Sequence, residues 1–392
     1  MINDNQNFGI YVHIPFCKKK CKYCDFISFE NKEDNIKEKY IDKLLEEIDI
    51  VFSEDSKKYK DIDFSKINFR NVDTIYFGGG TPSFINEDLI EKVLNRIKER
   101  FNVLDEAEIT LELNPGTANK EKLEFYKKIG INRLSIGLQS AENRLLKLIG
   151  RVHTYEEFLS IYNEARNVGF KNINVDLMLA LPTQTMDELV NSLIKVINLN
   201  LEHISLYSLI LEEGTVLEKE INEGNFELLS EDMERKMYWK TKKMLEKNKY
   251  FQYEISNFSK KGFESKHNYN CWNQNDYLGF GVAAHSYLND IRFTNTNLIE
   301  DYIDKSLNDS FDILEKQTKE DKIKEYMILG LRKIDGVKIS EFEQKFGINP
   351  LLAFRFEIEK LVQKDLIEID LDNIKLTKNG LDFANIVFTE FV

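Results

Sequence analysis

The chain has 392 residues, 42% of them hydrophobic, and a formal net charge of −13. That length exceeds the roughly 250–300 residues at which a single core stops growing, so more than one domain is expected. The acidic balance disfavours a general nucleic-acid binder, and no apolar run of about 18 residues offers a transmembrane segment.

The opening MINDNQNFGI carries no basic and apolar leader pattern. The first element is a strand, Ile10 to Ile14, stopped by Pro15. A loop then carries Cys17, Cys21 and Cys24 in C-x3-C-x2-C spacing. Asn35 to Phe52 has Ile36, Tyr40, Leu44 and Ile48 four apart, which predicts a helix with one apolar face. The polar stretch Ser53 to Asn71 reads as a surface insertion. Strand and helix patterns then alternate. A strand from Asp73 to Phe77 ends in Gly78-Gly79-Gly80-Thr81-Pro82, and a helix follows from Asp88 to Phe101. Glu108 to Leu113 is a strand, Lys120 to Ile129 a helix, and Arg133 to Gly137 a strand followed by Gln139. Tyr155 to Val168 is a helix, Asn172 to Leu177 a strand, Asp187 to Leu199 a helix and His203 to Leu209 a strand.

Six such units predict an α/β fold with parallel strands and right-handed crossovers, a partial (β/α)6 barrel over residues 1–228. The cysteines, the glycine loop, Glu112, Gln139 and Asp176 all fall at or just past strand C-terminal ends. In β/α barrels that is the face on which loops converge and chemistry is done.

Residues 229–315 read as an extension. It holds a long helix, Ser230 to Lys247, a strand from Gln252 to Ile255, and the run His267-Asn268-Tyr269-Asn270-Cys271-Trp272. Residues 316–392 predict helices over Lys322 to Arg332 and Ser340 to Phe346. Asn349-Pro350 opens a third helix to Gln363, and a hairpin from Leu366 to Leu376 turns at Asp372-Asn373. That order is winged-helix-like, yet acidic residues outnumber basic ones there, which argues against a DNA-binding use.

Three of the four cysteines lie within eight residues, so they make a metal loop rather than a disulfide framework, and the expected location is the cytoplasm. Structural zinc wants four closed ligands, and electron-transfer iron–sulfur clusters usually take four thiolates. A triplet suggests a cubane with one iron left open. Zinc closed by His13 or Cys271, or three unliganded thiols, are the other readings of the same spacing. Among the strand-end residues, glycines let the backbone approach a ligand. Glu112 and Asp176 would be costly if unpaired among apolar neighbours, and Arg151 is suited to gripping a carboxylate. Lys18, Lys19, Lys20 and Lys22 surround the thiols and would steer an acidic electron donor, a flavodoxin or ferredoxin.

The triplet, with Tyr23 just before its third cysteine, resembles the signature of radical S-adenosylmethionine (SAM) enzymes. The phrase YVHIPFC…C…CDF resembles the oxygen-independent coproporphyrinogen III oxidase group, and within it the heme chaperone branch. The resemblance implies a radical-SAM barrel, with a [4Fe-4S] cluster on Cys17, Cys21 and Cys24. It implies SAM contacts from Tyr11, Tyr23, Gly79, Gly80, Thr81, Glu112, Gln139, Arg151 and Asp176. His267 to Trp272 resembles an HNxxYW motif linked to heme binding, with Cys271 where the family has Tyr, so His267, Cys271 and Trp272 are the heme candidates. The decarboxylase branch extends the triplet by a fourth cysteine where this chain has Phe26, and carries a longer N-terminal arm before the position of Tyr11. Both features favour a chaperone that binds heme and passes it to acceptor hemoproteins. A coproporphyrinogen III decarboxylase, or another radical enzyme, is the alternative.

Overall fold

In the computed structural model, residues 7–30, 32–52, 62–65, 67, 70–306 and 310–392 are described. Six strands run parallel in chain order: β1 (Phe8–Ile14), β2 (Asn71–Gly79), β3 (Asn102–Leu113), β4 (Arg133–Gln139), β5 (Ile173–Leu179) and β6 (His203–Ser208). Their central residues are buried on both faces, as parallel strands covered by helices must be. Between them lie helices Asp34–Ile50, Glu87–Arg100, Lys120–Ile129, Tyr155–Val168 and Met186–Asn198. Each buries one apolar stripe; the first hides Tyr40, Ile41, Leu44 and Ile48. Their ends are set locally. Thr154 and Thr185 close capping boxes with Glu157 and Glu188, and Gly130 and Gly169 end their helices in the left-handed conformation.

The expected barrel strands are all present. The stretch read as an extension is woven into the same sheet. A hairpin of β7 (Phe251–Glu254) and β8 (Asn257–Ser259) pairs antiparallel with β6. On the other side β9 (Tyr277–Phe280) pairs parallel with β1. Then β10 (His285–Leu288), β11 (Ile291–Asn295) and β12 (Phe311–Lys316) continue the sheet antiparallel. Buried residues from Phe8 to Phe311 form one continuous core. The His267 run, left without secondary structure above, is a helix, Lys266–Trp272, capped by the Ser265 side chain.

One expectation is overturned in the polar stretch between the first helix and β2. Among its described residues Ile62, Phe64 and Ile67 are buried in the main core, with Phe64 edge-on to Phe293. Residues 53–61, 66, 68 and 69 of that expected insertion, like residues 1–6 at the start of the sequence, lie outside the described residues.

The C-terminal unit has its own core around Met327, Phe342, Leu361 and Ile374. Helix Lys319–Gly330, the short strand Val337–Lys338 and helix Ile339–Phe346 follow in that order, and Val337–Lys338 joins Asn373–Leu376 and Ile367–Asp370 in a three-stranded sheet, a winged-helix-like arrangement. The third helix is broken rather than continuous. It runs Pro350–Ala353 and Arg355–Gln363, with Phe354 at φ −119° and ψ 38° between them and its ring edge-on to Phe342 and Phe391. The hairpin turns one residue earlier than expected, with Leu371 at φ 54°, which leaves Asp372 to accept a 3.1 Å hydrogen bond from the Ser340 N–H. No helix among the described residues is long and apolar enough to cross a membrane.

Candidate functional site

Pro15 ends β1, and the chain folds back so that Phe16–Cys17 pairs with Phe29–Glu30 and encloses the cysteine loop. That loop is fastened at several points. The Lys22 N–H donates to the Ile149 carbonyl at 3.0 Å, and the Lys22 carbonyl accepts from Leu217 N–H at 2.8 Å. Lys22 Nζ pairs with Glu220 at 2.6 Å, and Lys20 Nζ donates to the Phe26 carbonyl at 2.9 Å. Of the four lysines, therefore, Lys20 and Lys22 are engaged with the protein, and Lys18 and Lys19 stand exposed.

The loop roofs a cavity of about 350 Å³ at the C-terminal end of the barrel, within the usual range for a small-molecule site. Cys17, Cys21 and Cys24 all line it, with Tyr23, Gly79, Gly80, Thr81, Glu112, Gln139, Arg151 and Asp176. Eight of the nine expected SAM contacts thus share one cavity with the three thiols. Tyr11 is the exception. It stands behind the wall, its hydroxyl 2.9 Å from His13 Nδ1 and its ring stacked on Tyr76. His13 also holds the Ile27 carbonyl through Nε2 at 2.9 Å. Both ring nitrogens are occupied, so His13 is no fourth metal ligand. Burial lowers its pKa to about 4, which keeps it neutral.

Each lining side chain has a local cause. Gly79 has φ +108°, and a Cβ there would meet the His13 ring at 2.6 Å; one on Gly80 would meet the Pro15 backbone at 2.8 Å. Gln139 sits at φ 70°, at an irregularity in the pairing of β4 with β5. That conformation is costly for a residue with a side chain and typical of functional sites. Glu112 accepts from Tyr76 Oη at 2.8 Å and from Gly79 N–H at 3.2 Å, and burial pushes its carboxyl up to about 7. Asp176 accepts from Asn174 Nδ2 at 2.8 Å and is also raised by burial. Arg151 is not the free fork expected. Its guanidinium donates to Cys21 Sγ at 3.5 Å, to Asn114 Oδ1 at 2.5 Å and to the Gly137 carbonyl, and its buried Nε has no partner among the described residues. It ties the thiol loop to β4.

A cubane cluster suits this donor set. Cys17 is buried with Thr81 Oγ1 at 3.7 Å from its sulfur, while Cys21 and Cys24 are half-buried on the cavity side. Burial pushes the Cys24 thiol up to about 11 and raises Cys17, outweighing the opposing pull of Lys20 on the first and of Thr81 and Arg151 on the second. Among the described residues no three His, Cys, Asp or Glu side chains gather tightly enough for a single metal ion; in a cubane each thiolate takes a different iron. The buried carboxylates and the orphaned Arg151 Nε leave polar groups for a ligand carrying hydroxyls, an amine and a carboxylate. Cys17, Cys21 and Cys24 would hold the cluster, and Gly79, Gly80, Thr81, Glu112, Gln139 and Asp176 the cofactor beside it.

The heme candidates lie on helix Lys266–Trp272 at the far end of the strands. His267 is buried, its Nδ1 2.9 Å from Thr74 Oγ1 and its ring 5.3 Å from that of Tyr76. Cys271 is half-buried, pushed up to about 11 by burial, and does not line the cavity. Trp272 is faced by the Arg332 guanidinium at 4.5 Å, and its indole Nε1 has no hydrogen-bond partner among the described residues.

Sequence reasoning missed Tyr76, Asn114, Arg133, Ser135, Asn174, Ser205, Tyr207 and Asn268, all of which line the cavity. A signal for several was there. Arg133, Ser135, Gly137 and Gln139 alternate along β4, and Asn174 and Asp176 along β5. Polar or glycine residues at every second position of an apolar strand mark its inward face.

Two family models match the chain: the Radical SAM superfamily over residues 11–195, and the HemN C-terminal domain over residues 317–383. The chain is 36% identical to the heme chaperone HemW of Lactococcus lactis over 97% of its own length and 96% of that protein's. It is also 36% identical to HemW of Bacillus subtilis, over 97% and 98%. The coproporphyrinogen III oxidase HemN of Escherichia coli superposes with a TM-score of 0.84 at 22% identity, covering 99% of this chain and 90% of that one. The last likeness concerns the fold.

Proposed function

The chain belongs to the HemW family of the radical SAM superfamily, and from that premise we propose that it is a heme chaperone, binding heme and handing it to acceptor hemoproteins. A [4Fe-4S] cluster on Cys17, Cys21 and Cys24 and SAM beside it are part of the proposal. When bound, this pair supplies one-electron reduction of a sulfonium. The chain's own residues do the rest: the carboxylates of Glu112 and Asp176 accept hydrogen bonds, and Arg151 holds the thiol loop in place. Exposed Lys18 and Lys19 remain the part of the lysine run suited to receiving an acidic electron donor. Heme is proposed at helix Lys266–Trp272, through Cys271 and Trp272; His267, with Nδ1 engaged by Thr74, reads as the residue that seats this helix on the barrel. The same reading places the protein in the cytoplasm.

The observation that carries the choice is the residue at the mouth. Where the decarboxylase pattern has a fourth cysteine, this chain has Phe26, 69% exposed on the cavity rim. Anaerobic reconstitution of the cluster, followed by parallel assays of heme absorbance and of coproporphyrinogen III decarboxylation, tests it. Heme uptake without decarboxylation is expected. Decarboxylation by the reconstituted protein refutes the chaperone reading in favour of the oxidase.

A further inference from the structure

Just past helix Lys319–Gly330 the C-terminal unit touches the large sheet, and Arg332 stands at the contact. Its carbonyl accepts from the Ile255 N–H at 3.1 Å, and the Ile334 N–H donates to the Tyr253 carbonyl, also at 3.1 Å. With a bridge between Lys333 and Glu254, this short segment runs along the outer edge of β7. The Arg332 side chain reaches from there to helix Lys266–Trp272. Its guanidinium lies 4.5 Å from the Trp272 ring and 5.8 Å from the Phe388 ring. Stacking of this kind holds the flat group and leaves its N–H edges for hydrogen bonds.

Those edges are unused. Among the described residues the Arg332 guanidinium makes no hydrogen bond or ion pair. Its Nε is buried without a partner, and so is Trp272 Nε1. Both groups can only donate, so what they lack is an acceptor. Burial of the unpaired cation is costly, and it lowers the Arg332 pKa against the pull of Glu254. Glu254 forms no ion pair with it; its Oε1 accepts instead from the Ser256 N–H at 3.0 Å and from Asn257 Nδ2. Three neighbouring cations, by contrast, are satisfied. Arg292, near Cys271, pairs with Glu325 at 2.5 Å. Lys333 Nζ donates to Asn273 Oδ1 at 2.6 Å, and Lys345 Nζ to Gln274 Oε1 at 3.4 Å.

A carboxylate meets the need, because its two oxygens match two N–H groups on one guanidinium edge. Heme carries two such groups, its propionates, on the rim of a flat apolar ring. We propose that Arg332 is a ligand-contacting residue that grips a heme propionate at helix Lys266–Trp272, with the Trp272 indole N–H as a further donor. The assignment rests on the reading of that helix as the heme site. Arg332 belongs to the C-terminal unit and Trp272 to a helix seated on the barrel, so a bound propionate ties the two together.

The test uses the full-length reconstituted protein and two probes, heme and heme dimethyl ester. In the ester both propionates are capped, while the iron and the ring are unchanged. Dissociation constants are measured by absorbance for wild type, Arg332→Gln and Arg332→Lys, with thermal unfolding as the check on folding. A hydrogen-bonded pair with a guanidinium favours the free carboxylate by about tenfold or more. Wild type should prefer heme to its ester by that factor. Arg332→Gln should bind the two within about twofold of each other, and Arg332→Lys should fall between. The Soret band should not move, because the ligand to iron is untouched. Wild type with no affinity for either probe overturns the heme site, and this assignment with it. Equal affinity of wild type for the two probes overturns the assignment alone. So does an Arg332→Gln variant that keeps the wild-type preference, whether its affinities are unchanged or fall together. If Arg332→Gln does not fold, an undiminished preference in Arg332→Lys overturns it equally.

Discussion

Glu112 gives a prediction in which the sign of a stability change reverses with pH. In the ligand-free protein burial lifts its carboxyl from 4.5 to about 7. In the unfolded chain it ionises near 4.5, while in the folded chain it keeps its proton until about 7. Wild-type stability is therefore undiminished below about 4.5, is lost as pH rises through that interval, and is level again above about 7. At 1.36 kcal/mol per unit the loss amounts to about 3 kcal/mol. Glu112→Gln removes the ionisation. It also leaves either Tyr76 Oη or the Gly79 N–H without an acceptor, since an amide nitrogen accepts nothing; that costs about 1 kcal/mol. Near pH 5 the variant should be no more stable than wild type. At pH 8 it should be more stable by about 2 kcal/mol, a gain of about 2–4 °C in melting temperature for a domain this large. Thermal unfolding of the cofactor-free protein at the two pH values measures this. A difference of the same sign and size at both would refute the reasoning, because it would mean that Glu112 ionises as freely inside the cavity as outside it.

Replacing Cys17, Cys21 or Cys24 singly by Ala should abolish cluster assembly, whereas Cys271→Ala should leave it intact; iron and acid-labile sulfide content after reconstitution decides. Lys18→Gln with Lys19→Gln should slow cluster reduction by an acidic carrier at low ionic strength. The difference should vanish in high salt, and an unchanged low-salt rate removes the steering role. Lys22→Gln should change stability by no more than about 1 kcal/mol, since its pair with Glu220 is partly exposed. His267→Ala should destabilise the fold by about 2–3 kcal/mol through lost packing on Tyr76 and the lost Thr74 bond. The denaturation midpoint measures it, and a change under 0.5 kcal/mol would show that the helix does not depend on this residue to sit on the barrel.

What was legible in the chain is what is local. The thiol triplet, the six strand–helix units and the strand-end residues follow from spacing and turn chemistry within a few residues of each other. What was missed depends on partners far apart. Lys22 meets Glu220 across 198 positions, Arg151 meets Cys21 across 130 and His267 meets Thr74 across 193. No periodicity announces such pairs, so Lys22 read as a steering charge and Arg151 as a free fork. The buried Ile62, Phe64 and Ile67 were masked in the same way by polar neighbours in sequence that are not their neighbours in space.

The glycine run shows how a correct residue can be read for an incomplete reason. Gly79 and Gly80 were expected to let the backbone approach a ligand, and both do line the cavity. Yet the protein itself also excludes a side chain there, because His13 and the Pro15 backbone fill the space a Cβ would take. The Gly80 N–H donates to Ile14 and the Thr81 N–H to Phe16, each at 2.9 Å, so the same tight turn presses β2 against the strand that launches the cysteine loop. Close packing of the loop and access for a ligand are therefore one requirement. An alanine at Gly80 would displace the Pro15–Phe16 backbone, and with it Cys17, whatever the cavity holds.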